Sequence, residues 1–348
     1  MNLDDAFTKY TKLRSQFQLA PEAFCQHEEL AQATLLILND HLSSLNSTQD
    51  YLPQPALACY AEIASLAEAN ANNENITYKF CVAGENLISS LTVGRHRDQG
   101  LALRIYIELK HFFRQHAGGR ASLSILAAIA AELVKPIGER DLGSAQGIYQ
   151  DIKYLNDDHP DDEQIAIQLS RAALYLFELT RESAFDTAVS FYADLRALAE
   201  THTGIDAVVV DQCSAASMLL DERRKTSVIG ARELYLDIRV LANARPDLMK
   251  LMLQQLQCCF HVLEDVAEEE LNVGWEIFDD AEFTSQSHLD RQDVAYYYAA
   301  ILFVWLVRLR QHEPSSVGQL LAKLDALGKA KANNPNLTDL VRRSKDLG

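Results

Sequence analysis

Four stretches of this chain overlay without a gap: Ala102-Leu-Arg-Ile-Tyr-Ile-Glu-Leu-Lys110, Ala145-Gln-Gly-Ile-Tyr-Gln-Asp-Ile-Lys153, Ala188-Val-Ser-Phe-Tyr-Ala-Asp-Leu-Arg196 and Ala231-Arg-Glu-Leu-Tyr-Leu-Asp-Ile-Arg239. Their tyrosines, Tyr106, Tyr149, Tyr192 and Tyr235, are spaced 43 residues apart. The same step forward lands on Phe278, within Gly274-Trp-Glu-Ile-Phe-Asp-Asp280, and then on Leu321; the same step back lands on Ile63. A constant period means a repeat array, in which each unit buries its apolar face only against its neighbours. The array spans residues 57–325, preceded by a helical cap (1–56, with helices over roughly 2–18 and 22–45) and followed by a cap or tail (326–348).

Each period holds two helices. In the unit of Tyr149 the first runs from about Leu142 to Asn156 and the second from about Glu163 to Thr180. Between them lies Asp157-Asp-His-Pro-Asp-Asp162, where Pro160 cannot continue a helix and the acids after it suit the next N-terminus. Other units break at Gly118-Gly119, Gly204, Pro246 and Ser285-Gln-Ser287, and all eight prolines are expected at helix boundaries. On a wheel of about 100° per residue, the Ala, aliphatic, Tyr and following aliphatic columns make one apolar stripe. An acid column (Glu108, Asp151, Asp194, Asp237, Asp280) lies on one flank and a basic column (Lys110, Lys153, Arg196, Arg239) on the other. Stacked side by side, neighbouring first helices would form a charge ladder, Asp151 meeting Arg196 or Lys110 according to the sense of stacking; the alternative is separate solvated charges. Exposed pairs of this kind are worth below about 1 kcal/mol each.

The Ala-x-x-[Ile/Phe/Leu]-Tyr signature, seen in the pairs Ala102/Ile105, Ala145/Ile148, Ala188/Phe191, Ala231/Leu234 and Gly274/Ile277, resembles the tetratricopeptide-like superfamily. The string Ala-x-x-Leu-Tyr-x-Asp-Ile-Arg is also similar to the second helix of pentatricopeptide repeats. The 43-residue period departs from both families, whose shorter units lack about two helical turns per pair. The resemblance implies an all-α fold, a right-handed α-solenoid of about six or seven two-helix repeats with helical caps, one continuous body whose first helices line the concave face. It carries over no catalytic residue.

Composition narrows the function. The formal charge of −17 disfavours polyanions such as nucleic acid and anionic lipid. The N-terminus has no basic start with an apolar run, and the longest apolar stretch, Tyr296 to Val307, is too short to span a membrane, so the cytoplasm is the expected location. The cysteines, Cys25, Cys59, Cys81, Cys213, Cys258 and Cys259, form no C-x-x-C pair and are expected reduced on helix faces. No phosphate-loop, dinucleotide, nucleophile-elbow or zinc-protease motif occurs, so no enzyme, cofactor or metal is expected. Cys258-Cys259-Phe-His261 has metal-capable atoms on divergent helix faces, and Asp157, Asp158, Asp161 and Asp162 read as helix capping rather than a calcium loop.

Two regions are candidates for recognition. One and five residues after the Tyr column, the units carry Ile107/His111, Gln150/Tyr154, Ala193/Ala197, Leu236/Val240 and Asp279/Phe283, a variable and partly apolar stripe beside a constant one. Ile107, His111, Gln150, Tyr154, Leu236, Val240 and Phe283 are thus candidate partner contacts; alternatively they pack on the second helix of their own unit. From Glu264 to Asp293 there are eleven acids and a single base, Arg291. Here Glu268, Glu269, Glu270, Glu276, Asp279 and Glu282 accompany Trp275, a pattern suited to a basic, amphipathic peptide; the alternative is a solvated outer face. Residues 301–348 carry eight Lys and Arg against four acids, so this segment could fold back on the acids or bridge to a second copy. The expected function is a protein- or peptide-binding scaffold. The alternatives are a regulatory sensor for a small molecule or short peptide and, against the charge, a single-stranded RNA binder.

Overall fold

The computed structural model describes residues 3–19, 25–43, 54–93, 98–116, 118–224 and 228–345. The described residues are all-helical, with no strand. The helices run α1 (Leu3–Leu19), α2 (His27–Ser43), α3 (Gln54–Ala69), α4 (Glu74–Val93), α5 (Gln99–Gln115), α6 (Arg120–Gly138), α7 (Leu142–Asp158), α8 (Glu163–Thr180), α9 (Phe185–Thr201), α10 (Asp206–Arg224), α11 (Val228–Ala244), α12 (Met249–Asp265), α13 (Leu271–Gln286), α14 (Gln292–His312), α15 (Pro314–Ala330) and α16 (Pro335–Lys345), with a 3₁₀ turn at Glu268–Glu270. From α5 onward the odd-numbered helices begin at 99, 142, 185, 228, 271 and 314, and the even-numbered ones at 120, 163, 206, 249, 292 and 335. The chain divides into two compact units, Met1–Thr180 and Arg181–Gly348, and the boundary falls between helix pairs rather than inside one.

Local chemistry sets these boundaries. Asp98 and Asp141 occupy equivalent N-cap positions and accept backbone N–H bonds from Leu101 (2.9 Å) and Ser144 (3.2 Å) at the starts of α5 and α7. Asp162, only 4% exposed, accepts from the backbone N–H groups of Gln164 (3.0 Å) and Ile165 (3.3 Å) at the start of α8 and from Arg120 Nε (2.7 Å). Burial works against its charge, yet these donors outweigh it and hold the carboxyl below the usual Asp range. Pro314 and Pro335 open α15 and α16, and Pro160 and Pro246 sit in turns. Pro136 corrects the boundary expectation: α6 continues through it to Gly138, so it lies within the last turn. Pro21 and Pro53 lie outside the described residues, as do 22–24 and 44–45 of the expected second cap helix, whose described part begins at His27. Residues 326–345 hold the end of α15 and all of α16, a helix that packs on α14 and α15.

The anticipated apolar stripe is the core. Ala102, Ala145, Ala188 and Ala231 are fully buried, as are Leu109, Ile152, Leu195 and Ile238 three residues after the tyrosines. The tyrosines, Phe278 and Ile63 are buried too, whereas Leu321 is only partly covered. Even-numbered helices pack directly on one another: α4 on α6 and α6 on α8 in the first unit, α10 on α12 and α12 on α14 in the second. These helices bury many small residues, among them Ala127, Ala130, Ala173, Ala215 and Ala216. Helix α6 is the one described helix long and apolar enough to cross a membrane, a role the sequence expectation gave to no segment; it carries Glu132 and Lys135 and packs against α4, α7 and α8.

At Gly274 the small-residue column loses its methyl group, and the space is filled from α14. A Cβ there would meet the Trp305 ring at 2.3 Å, and Trp305 is fully buried. Gly274→Ala should therefore cost about 1–3 kcal/mol by overpacking, read as a lower urea midpoint, and Trp305→Phe in the same chain should return part of the loss.

Candidate interaction surface

Neighbouring odd-numbered helices meet through side chains in a recurring three-group contact. In the first unit, Lys110 Nζ (2.6 Å) and the Tyr106 hydroxyl (3.0 Å) on α5 both donate to Asp151 Oδ2 on α7, with Arg114 3.5 Å from the other oxygen. In the second unit, the Tyr192 hydroxyl (2.8 Å) and Arg196 (3.4 Å) on α9 converge on Asp237 of α11, and Arg239 of α11 pairs with Asp280 of α13. The ladder therefore forms in these rungs, and its sense is settled: the base of one helix meets the acid of the next, so Asp151 takes Lys110. Burial, reinforced by the adjacent carboxylates, pushes the Tyr106 and Tyr192 hydroxyls up, which keeps them as proton donors.

The next rung is inverted. Glu282 of α13 stands in the basic column and Lys323 of α15 in the acid column, and they pair at 2.6 and 2.8 Å. The tyrosine has moved as well. Phe278 has no hydroxyl, and Tyr298 on α14 donates to Glu282 at 2.7 Å instead. The carboxylate again receives one hydroxyl and one cation. Although burial opposes it, Lys323 and Tyr298 hold the Glu282 carboxyl below the usual Glu range.

The acids of 264–293 are concentrated in sequence but largely matched in space. Arg232 engages both oxygens of Glu276 (2.8 Å each), Arg239 takes Asp280, Lys323 takes Glu282, Arg224 takes Asp265, and His312 lies 3.5 Å from Glu268. Glu270 is the N-cap residue of α13. Trp275 is half-buried, donating to Glu313 (3.1 Å) and packing edge-on against Trp305. Trp275, Glu276 and Glu282 are therefore engaged within the fold, and Glu269 and Asp279 are the exposed acids of the set for which the structure shows no ion pair or side-chain hydrogen bond. Bases of the C-terminal segment fold back on the acid-rich stretch at two places, Lys323 on Glu282 and Lys331 Nζ on the Asp290 carbonyl (2.8 Å).

The variable stripe points to solvent. Ile107 and Tyr154 in the first unit are 52% and 64% exposed, and Val240 and Phe283 in the second are 63% and 78% exposed. His111 and Gln150 are also exposed and Leu236 is half-buried. Ile107, Tyr154, Val240 and Phe283 are therefore open to solvent rather than packed away against the second helix of the same unit, whereas Leu236 is partly covered. The reason is geometric: one and five residues after the Tyr column lie opposite the buried stripe, with the ladder columns on either side.

The cysteine–histidine cluster does not converge. Cys258 faces Ser217 (3.3 Å), Cys259 faces the Ile277 carbonyl (3.5 Å) and His261 faces Glu264 (3.4 Å). Burial pushes the thiols of Cys59 and Cys258 up to about 11 and about 12, which keeps them from acting as thiolates near neutral pH. No group of three His, Cys, Asp or Glu residues suited to a metal occurs among the described residues. Comparison with protein-family models, curated proteins and solved structures finds no match.

Glu282→Lys should lower stability by about 1–2 kcal/mol, because it opposes Lys323 and removes the Tyr298 acceptor. Adding Lys323→Glu should recover the charge part of that loss in a double-mutant cycle, leaving the part due to the Tyr298 acceptor. With its native-state pKa depressed, Glu282 stabilises above the unfolded-state Glu pKa. The advantage of the wild type over Glu282→Gln should therefore fade as pH falls through the depressed value, read from urea midpoints across acidic pH.

Proposed function

We propose that this chain is a tetratricopeptide-like α-solenoid, right-handed, that acts as a non-enzymatic scaffold for a protein or peptide in the cytoplasm. The observation that supports this reading is the exposure of Ile107, Tyr154, Val240 and Phe283 at two columns that vary from repeat to repeat. Core columns are constrained by packing and ladder columns by charge, whereas these positions are free to change with a ligand. Large exposed apolar side chains at fixed places on a repeated surface are the usual anchors of protein interfaces. The acid-rich segment is a weaker candidate for the contact, since arginines and a lysine of the same unit pair with much of it.

The test is a comparison of wild type with a variant carrying Ile107→Ser, Tyr154→Ser, Val240→Ser and Phe283→Ser. All four side chains are exposed, so the melting temperature should move by less than about 3 °C. Quantitative mass spectrometry of proteins retained from the native cell extract should show specific partners depleted at least fivefold with the variant. An unchanged set of partners would remove the stripe as the recognition surface, and charge reversal at Glu269 and Asp279 would then test the remaining acids.

A further inference from the structure

Helices α11 and α13 lie side by side, joined by Arg232–Glu276 and Arg239–Asp280. On either side of the Arg239–Asp280 pair, the two helices turn the same columns outward. Leu236 and Val240 come from α11, and Asp279 and Phe283 from α13. Asp279 and Phe283 are one helical turn apart and so share a face. Phe283, at 78%, is among the most exposed large apolar side chains of the described residues, and no ring or cation contact to it occurs among them. Asp279 has neither an ion pair nor a side-chain hydrogen bond in the structure, whereas the acids around it, Glu276, Asp280 and Glu282, each have a base.

We propose that this face receives an arginine side chain of a partner peptide, its guanidinium paired with Asp279 and stacked on Phe283, with Leu236 and Val240 taking the apolar residues that flank it. The proposal rests on the scaffold reading above and specifies its ligand. Charge complementarity selects the occupant, because the local bases are already committed and the uncommitted group is a carboxylate beside an open aromatic face. Arginine fits better than lysine, since its planar head can stack on a ring and reach a carboxylate together. Burial and the nearby Glu282 and Asp280 push the Asp279 carboxyl up, and Lys323, committed to Glu282, offsets this only in part, so an incoming cation relieves the repulsion that remains.

The probe is N-acetyl-Leu-Arg-Leu-amide, titrated into the full-length protein carrying 4-fluorophenylalanine at position 283 and followed by 19F NMR. The control is the same peptide with citrulline, a neutral isostere of arginine. A saturable shift is expected with a Kd on the order of 1–10 mM, weakened at least fivefold by citrulline, by Asp279→Asn or by raising salt. The Asp279→Asn protein should keep its unfolding midpoint, so that lost binding is not lost folding. Equal binding of the two peptides would overturn the arginine assignment while leaving an apolar recognition face. No shift with either peptide would overturn it too; partners still lost from the four-serine variant would then show that the scaffold reading survives without it.

Discussion

A carboxylate shared between a tyrosine hydroxyl and a base carries the side-by-side packing of the odd-numbered helices. Even-numbered helices pack directly on one another and bury many alanines, so apolar packing is sufficient there. Odd-numbered helices are bridged by long side chains instead, and without those bridges the buried hydroxyls of Tyr106 and Tyr192 would lack their acceptors. The cost of an unsatisfied buried hydroxyl, about 1–3 kcal/mol, exceeds what an exposed ion pair supplies. Tyr106 and Tyr192 are thus anchors of register more than sources of apolar area: each ring belongs to the core, and each hydroxyl reads the position of the next odd-numbered helix. Asp151 and Asp237 each serve this reading in their own unit.

The arrangement also accounts for the charge. An excess of acid over base would destabilise a compact body if the like charges were adjacent. Within each unit, the fold separates them by setting acid against base between neighbouring odd-numbered helices. Arg224, Arg232, Arg239 and Lys323 are each distant in sequence from the acid they neutralise, so a stretch that reads as intensely acidic becomes a surface of paired charges with few open carboxylates.

Much of this was legible in the residues. The period, the buried columns and the existence of the ladder follow from spacing, because one rotation of the helix dictates all three. The sense of the ladder does not, since it depends on which way neighbouring helices stack. The acidic segment misdirects for a related reason: counting charge along the chain ignores bases brought in from other turns of the repeat. The inverted rung had a signal in both columns, with Glu282 in one and Lys323 in the other, yet only the first half is conspicuous because Leu321 is a poor match to the tyrosines. The filling of Gly274 by Trp305 had no comparable signal, for it joins a missing methyl on one helix to an added ring on another. Exposure of the variable stripe was open on sequence grounds, as a helix face opposite the core can meet either water or another helix.

The inverted rung makes the last helix pair non-interchangeable. A repeat whose rungs all had one polarity could accept any unit after any other, and a slipped or swapped C-terminal pair would find a ready seat. Lys323 placed after Lys110, Arg196 or Arg239 would instead face a like charge, and Glu282 offered to Asp151, Asp237 or Asp280 would do the same. The reversal works as an address: within a chain of nearly identical parts, it specifies the one neighbour beside which the final pair can settle.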